Sequence, residues 1–371
     1  MNTNIDIICV GEVIIDFIGD QITSIENNSN FQRFLGGSPT NVALNTTRLG
    51  LNTMLVATGG NDNLGEFILD TLIENKVNTS FYRNSSSNRT SVIYISKSKI
   101  TPDFKAFRDA DSEIIESQLP EELLLNSKIF HTTCFALSKE PARSTILKKA
   151  IKAKEFGLQL SIDINFSEKI WNDRQEALSV LIEYLSLDPL VKLSDDDCFR
   201  LFNEYKSDEY IFDYFHKLGV STICLTKGKN GVKLSNVNSG ILFQEALKLD
   251  HIEDVTGAGD AFWSGFLFAI LNKMDFDECI TIAQKLASIK LQNIGTLPEN
   301  IDILKENTSI NFLNNRRKPS KSDFNNYYHL LRINLEEDGF TNIELFNELS
   351  VYFSDNLFNM FKLLDNKWYS P

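Results

Sequence analysis

From residue 129 onward the chain repeats one unit: a short apolar run followed by a longer segment with helical spacing. Apolar runs at 129–133, 158–164 and 190–193 lead into helical segments at 141–156, 174–185 and 198–203, and a further run at 222–226 ends at Gly228 and Gly231. Strands that alternate with helices are joined by crossovers, and crossovers give parallel sheets with helices over both faces. The rhythm predicts an α/β fold whose ligands sit at the carboxyl ends of the strands, where loops and helix starts meet.

The N-terminal third follows a looser version of this plan. Runs at 5–10 and 13–18, separated by Gly11 and Glu12, read as one buried strand continuing past a glycine. Gly36-Gly37 precede Ser38-Pro39, which read as an N-cap and a first-turn proline for a helix over 40–49 closed by Gly50. A strand at 54–58 ends in Gly59-Gly60, and a second helix opens at Gly65. The stretch 90–110 holds two extended pieces, 91–96 and 105–108, with no helix between them. That pattern predicts a small antiparallel sheet set apart from the main one, as a lid. Residues 314–326 are polar and linker-like, whereas 340–367 place Leu345, Leu349, Phe353, Leu357 and Phe361 at helical spacing. The expected organisation is one domain over 1–302, with lid strands about 12–35 and 89–110, and a partly helical extension over 303–371.

Charge and composition remove several classes of function. With 50 acidic against 37 basic residues and a net charge of -13, the balance argues against a sequence-independent nucleic-acid surface, which needs a basic stripe. Its five cysteines stand singly, without zinc-site or redox spacing. The most apolar stretch, 261–271, is about half the ~20 residues that span a bilayer, and the polar start does not resemble a secretory signal. The expected setting is the cytoplasm, with no membrane partner.

The sharpest chemical signal is Asp254-Val255-Thr256-Gly257-Ala258-Gly259-Asp260, immediately before that apolar helix. Gly-Ala-Gly lets the backbone approach a ligand closely, and the amides at a helix start favour an anion. Asp260 beside such amides could take a proton from an attacking hydroxyl, or simply cap the turn.

This segment resembles the C-terminal signature D-T-x-G-A-G-D of the ribokinase-like (PfkB) carbohydrate kinases, with Val255 in place of the usual threonine. Further similarities follow in family order. They are Gly36-Gly37-Ser38-Pro39-Thr40-Asn41, Gly60-Asn61-Asp62-Asn63-Leu64-Gly65, Asp163-Ile164-Asn165 with Trp171, and Thr226-Lys227-Gly228-Lys229-Asn230-Gly231. The chain is identified as a member on these matches across about residues 5–300, and it is most similar to fructokinases.

The resemblance implies a three-layer fold with a small β-sheet lid and ATP-dependent phosphorylation of a sugar hydroxyl. It assigns Asp260 as catalytic base and Gly257, Ala258 and Gly259 as the anion hole. Asp16, Gly37, Asn41, Arg108 and Asn165 would meet the sugar, and Ser194, Thr226, Gly228 and Gly231 the nucleotide. Asp254 and Thr256 match positions that bind a monovalent cation, typically potassium, while Asp197 would reach Mg²⁺ through water. The resemblance also implies a homodimer formed through the lid.

Two departures bear on the substrate. Ser194 and Asp197 stand where many members carry N-x-x-E, and Ser167 stands where fructokinase-like members have arginine. A kinase of 2-keto-3-deoxygluconate, with Arg108 facing the carboxylate, stays open, as does a non-catalytic sensor of sugar or nucleotide. A dinucleotide-binding oxidoreductase is disfavoured because no G-x-G-x-x-G follows the first strand.

Overall fold

The computed structural model describes residues 4–97, 103–249, 251–293, 295–298, 301 and 303. The linker and apolar stripe expected beyond residue 303 lie outside the described residues. The chain divides into two units, and the first, Met1–Ile301, carries the strands and helices of the α/β fold.

The chain enters the central sheet as β1 (Ile5–Val10) and leaves it at Gly11. β2 (Ile14–Gly19) belongs to a second sheet, so the expected single strand is two strands in two sheets. β3 (Phe31–Gly36) returns antiparallel to β2 and runs into α1 (Ser38–Arg48). Ser38 is not the cap of that helix; Gly37 is, at φ 103°, and the serine hydroxyl is spent elsewhere.

Next come β4 (Thr53–Val56), β5 (Thr58–Gly60), α2 (Asn63–Glu74) and β6 (Arg83–Ser85). The Asp62 side chain caps α2 by accepting from the amides of Leu64 and Gly65. β7 (Val92–Ile95) and β8 (Phe104–Phe107) complete the small sheet in the order β3-β2-β7-β8.

The regular part begins with α3 (Glu121–Leu125) and β9 (Ser127–Thr133). It continues through α4 (Ala142–Glu155), β10 (Gln159–Asp163), α5 (Arg174–Leu185) and β11 (Leu190–Ser194). Then follow α6 (Asp195–Phe202), α7 (Asp208–Lys217) and β12 (Thr222–Thr226). An antiparallel pair that the periodicity did not announce, β13 (Val232–Asn236) and β14 (Gly240–Gln244), closes the sheet edge. The apolar α8 (Ala258–Leu271) and α9 (Phe276–Leu291) come last and pack on each other.

The central sheet has the order β14-β13-β12-β11-β10-β9-β1-β4, and its six strands from β12 to β4 are parallel. One face carries Phe130, Leu160, Ile162, Val191, Leu193, Ile223 and Leu225 into a single apolar core with Ile146 of α4, Leu181 of α5 and Phe215 of α7. The alternate residues point to α8, where Trp263 Nε1 donates to Ser161 Oγ at 2.9 Å. α8 also touches α1, so the two glycine-rich helix starts come together.

Candidate active site

The turn Gly36-Gly37 is glycine for two separate reasons. A Cβ on Gly36 would sit 2.2 Å from Asp16 Oδ2, and one on Gly37 would sit 2.3 Å from the Glu12 carbonyl oxygen. Gly37 also holds φ 103°, which side chains disfavour. The turn therefore lies flat against Asp16 and the β1–β2 junction. Glu12, which sequence reading passed over, fixes it from below. Its Oε1 accepts from Ser38 N at 3.0 Å and its Oε2 from Thr133 Oγ1 at 2.8 Å. Burial pushes the Glu12 carboxyl up to about 8, against the pull of these donors and Arg108.

Across this turn stands Asp260, in the first turn of α8. Ser38 Oγ donates to its Oδ1 at 2.7 Å and Asn41 Nδ2 to its Oδ2 at 2.8 Å. The two signatures, more than 200 residues apart, thus meet on one carboxylate. Burial raises the Asp260 carboxyl above the usual aspartate value; the Ser38 hydroxyl, the Lys192 charge and the Asn41 amide work against it. Burial also pushes Asp16 up to about 7, and the Asp260 charge adds to the effect.

Beneath Gly259 lies Lys192, from the middle of β11. Its Nζ donates to Asp163 Oδ2 at 2.8 Å, and a Cβ on Gly259 would come within 2.9 Å of the ammonium. Burial opposes this charge, but the carboxylates of Asp163, Asp197 and Asp260 outweigh it and hold the lysine protonated.

A cavity of ≈ 340 Å³ opens between the small sheet and the start of α8, with Asp16, Arg33, Asn41, Asp254, Gly257 and Lys290 among its walls. Arg33 lies over the Phe67 ring at 3.7 Å. Asp254 Oδ1 accepts from Thr256 N at 2.9 Å, and Asp254 Oδ2 faces Lys290 Nζ at 3.5 Å. A monovalent cation expected at Asp254 and Thr256 would thus meet a fixed ammonium, and these residues do not fit it.

At the carboxyl ends of β11 and β12, Ser194 and Thr226 are register partners. Gly228 and Gly231 shape the turn that follows, at φ 53° and 91°. Asp197 is fully engaged: Oδ2 accepts from Ser194 N and Oγ at 2.8 and 2.6 Å, and Oδ1 from Arg200 Nη2 at 2.6 Å. Among the described residues, no group of three or more His, Cys, Asp or Glu side chains is arranged to hold a metal ion.

Two of the residues expected to face the sugar also make local contacts. Arg108 is bound to Asp111 through Nε and Nη2 at 2.9 and 2.6 Å and stacks on Phe135, so its guanidinium is committed. Asn165 spends its Oδ1 on Phe135 N at 3.0 Å. Like Gly37 and Asp260, they are not among the residues that line the cavity. The structure does bring together Asp16, Gly37, Asn41, Gly257, Ala258, Gly259 and Asp260. It adds Glu12, Ser38, Lys192 and Lys290, which sequence reading left out. An ionisable residue inside an apolar strand run, as in Val191-Lys192-Leu193, was the one available signal for Lys192.

Known proteins place this arrangement. A family model described as pfkB family carbohydrate kinase matches residues 4–302. An ATP-dependent 6-phosphofructokinase of Thermoanaerobacterium thermosaccharolyticum is 30% identical over 298 residues, covering 80% of this chain and 91% of its own. The structure of Halothermothrix orenii fructokinase superposes with TM-score 0.69 at 32% identity, covering 76% of this chain and 98% of that one. A double-mutant fructokinase of Vibrio cholerae O395, solved with fructose, ADP and potassium, shares the fold at TM-score 0.69 and 24% identity, over 80% of this chain and 95% of that one. With the family model spanning the whole described α/β unit, the chain belongs to the pfkB family of carbohydrate kinases.

Proposed function

We propose that the chain transfers the γ-phosphoryl group of ATP to a hydroxyl of a ketohexose, with D-fructose as acceptor and fructose 6-phosphate as product. The observation that carries this reading is Asp260, held by Ser38 and Asn41 at the start of α8 beside the cavity that Asp16 lines. The sugar would enter between the small sheet and α8 and hydrogen-bond to Asp16, Asn41 and the Gly37 backbone. Its hydroxyl proton passes to Asp260 as the oxygen attacks the γ-phosphorus. The bond to the β–γ bridging oxygen breaks, and ADP leaves with the electron pair. Charge on the phosphoryl group would be met by the helix-start amides at Gly257, Gly259 and, once it leaves its 3.3 Å turn bond to the Val255 carbonyl, Ala258, with the Lys192 ammonium adjoining them.

ATP would lie across the carboxyl ends of β11 and β12, against Ser194, Thr226, Gly228 and Gly231. Mg²⁺, coming with ATP on its phosphate oxygens and water, would supply charge neutralisation there. Asp197, occupied by Ser194 and Arg200, would serve to shape that loop. This reading treats residues 1–302 as the kinase domain and 303–371 as its extension, in a cytoplasmic enzyme. Self-association through the small sheet has support in its aromatic cluster of Phe17, Phe31, Tyr94 and Phe107.

One observation favours a second acceptor. Arg33, stacked on Phe67 in the cavity wall, has no carboxylate partner among the described residues, and a phosphorylated ketohexose would give it one. The 2-keto-3-deoxygluconate reading is weakened, since Arg108 is already paired with Asp111. A coupled assay of ADP release with D-fructose, fructose 6-phosphate and 2-keto-3-deoxygluconate separates the three. Asp260→Asn should lower kcat by about 10³-fold or more and leave ATP binding nearly intact. Turnover within a few-fold of the parent would remove Asp260 from its role, and ATP binding without turnover on any sugar would favour a sensor.

A further inference from the structure

Lys290 lies near the end of α9 and is 6% exposed, although lysine is seldom buried. Its ammonium faces Asp254 Oδ2 at 3.5 Å and donates to the Asn293 carbonyl at 3.2 Å. Its stem runs along the glycine turn, since a Cβ on Gly257 would meet Lys290 Cε at 3.5 Å. The remaining oxygen of Asp254 is taken by the Thr256 amide at 2.9 Å. A carboxylate and a backbone carbonyl around a single positive charge are what a potassium ion would also seek. Here that charge is covalently attached to the fold.

We propose that the Lys290 ammonium takes the place of a monovalent cation beside the Gly257–Gly259 turn, so that phosphoryl transfer by this chain is independent of potassium. A potassium ion and an ammonium cannot share one carboxylate at this distance without strong repulsion in a poorly solvated wall. Asp254 and Thr256 hold the entry to the turn, and the tethered cation keeps Asp254 in place without any free ion. Lys290 is thus a positioning residue, acting through Asp254 and the turn. A plainer role competes with this one: lysines near helix C-termini often bind the last carbonyls, as Lys290 does at Asn293. The plainer role predicts no response to potassium when the lysine is removed.

The inference rests on the sugar-kinase reading, and the experiment keeps the two apart. Sugar-dependent ADP release by the full chain is measured in tetramethylammonium chloride and in potassium chloride at equal ionic strength. The parent should give kcat values within about twofold in the two salts; activation of several-fold by potassium overturns the proposal. Lys290→Thr, which vacates the charge and adds a small oxygen ligand, should lose about tenfold or more in tetramethylammonium and regain most of it in potassium. A Lys290→Thr variant that is impaired but indifferent to potassium assigns the lysine to the helix end alone and also overturns the proposal. Lys290→Arg should stay indifferent while remaining active. Thermal unfolding gives a readout free of catalysis: potassium should raise the Tm of Lys290→Thr and leave that of the parent unchanged. If no sugar supports turnover in either salt, the kinase reading fails, and the Tm comparison still decides the cation question.

Discussion

On β10, Leu160 and Ile162 enter the apolar core beside α4 and α5, while Ser161 and Asp163 between them point toward α8. β9, β11 and β12 repeat the division: Phe130, Val191, Leu193, Ile223 and Leu225 on one side, His131 and Lys192 on the other. Every one of these residues is buried, so exposure does not distinguish the faces. Chemistry does. The first face needs only volume and contact, each buried leucine or isoleucine contributing about 1.5–3 kcal/mol by leaving water. The second face must supply partners for buried polar atoms, and it does so incompletely. Among the described residues, Asp163 Oδ1 and His131 Nε2 find no hydrogen-bond partner. Burial and the Lys192 charge hold His131 down to about 3, so the ring is neutral. A buried polar face is costly relative to an apolar one. This face lies under the start of α8, where the Lys192 ammonium abuts Gly259 and acts on Asp260.

The largest expected effect comes from the apolar face. Leu160→Ala should cost about 2–5 kcal/mol of folding stability through lost contact and a residual cavity. The kcat per folded molecule should stay within about twofold, read from denaturant titration alongside active-site-normalised rates. A large loss of kcat at full folding would show that the two faces are mechanically coupled and not separate in role.

The polar face should behave in the opposite way. Replacing the buried pair together, as Asp163→Asn with Lys192→Met, removes both charges and should leave stability nearly unchanged or improved. Turnover should nevertheless fall by about 100-fold, with KM for sugar and ATP moving little, because the positive charge beneath Gly259 is gone. If the double variant kept kcat within about threefold, the pair would be a folding device only.

The sequence made the apolar face legible and the polar face nearly invisible. Strand periodicity links neighbours two residues apart and helix periodicity those three or four apart, so β9 to β12 and α4 and α5 could be read directly from 129–226. The glycine turns were legible too, because few residues other than glycine tolerate φ 103° at 37 or an Asp16 oxygen against 36. What escaped was long-range pairing. Ser38 has the local chemistry of a helix cap, and only the fold turns its hydroxyl toward Asp260. Arg108 is paired with Asp111 three residues on, a contact that residue type alone does not announce. Lys290 finds Asp254 across 36 residues, a separation that no periodicity encodes.

Ser38 provides the finest test of the contrast, since it touches the carboxylate proposed as the base without belonging to either face. In the proposed role Asp260 must be ionised to accept a proton, so the acid limb of kcat/KM should follow its pKa in the free enzyme. Burial raises that pKa, and donation from Ser38 lowers it by favouring the charged form. Lys192, Lys290 and Asn41 pull in the same direction as Ser38 and remain when it is removed. Asp16, which faces Asp260, also stays in place. Ser38→Ala should therefore move the acid limb to higher pH, while kcat/KM on the plateau falls only a few-fold for the loss of one hydrogen bond. A purely structural role for Ser38 would lower the whole profile and leave its midpoint where it was. The direction of the shift matters more than its size: a limb that moved to lower pH would mean that the proton acceptor is a group other than Asp260.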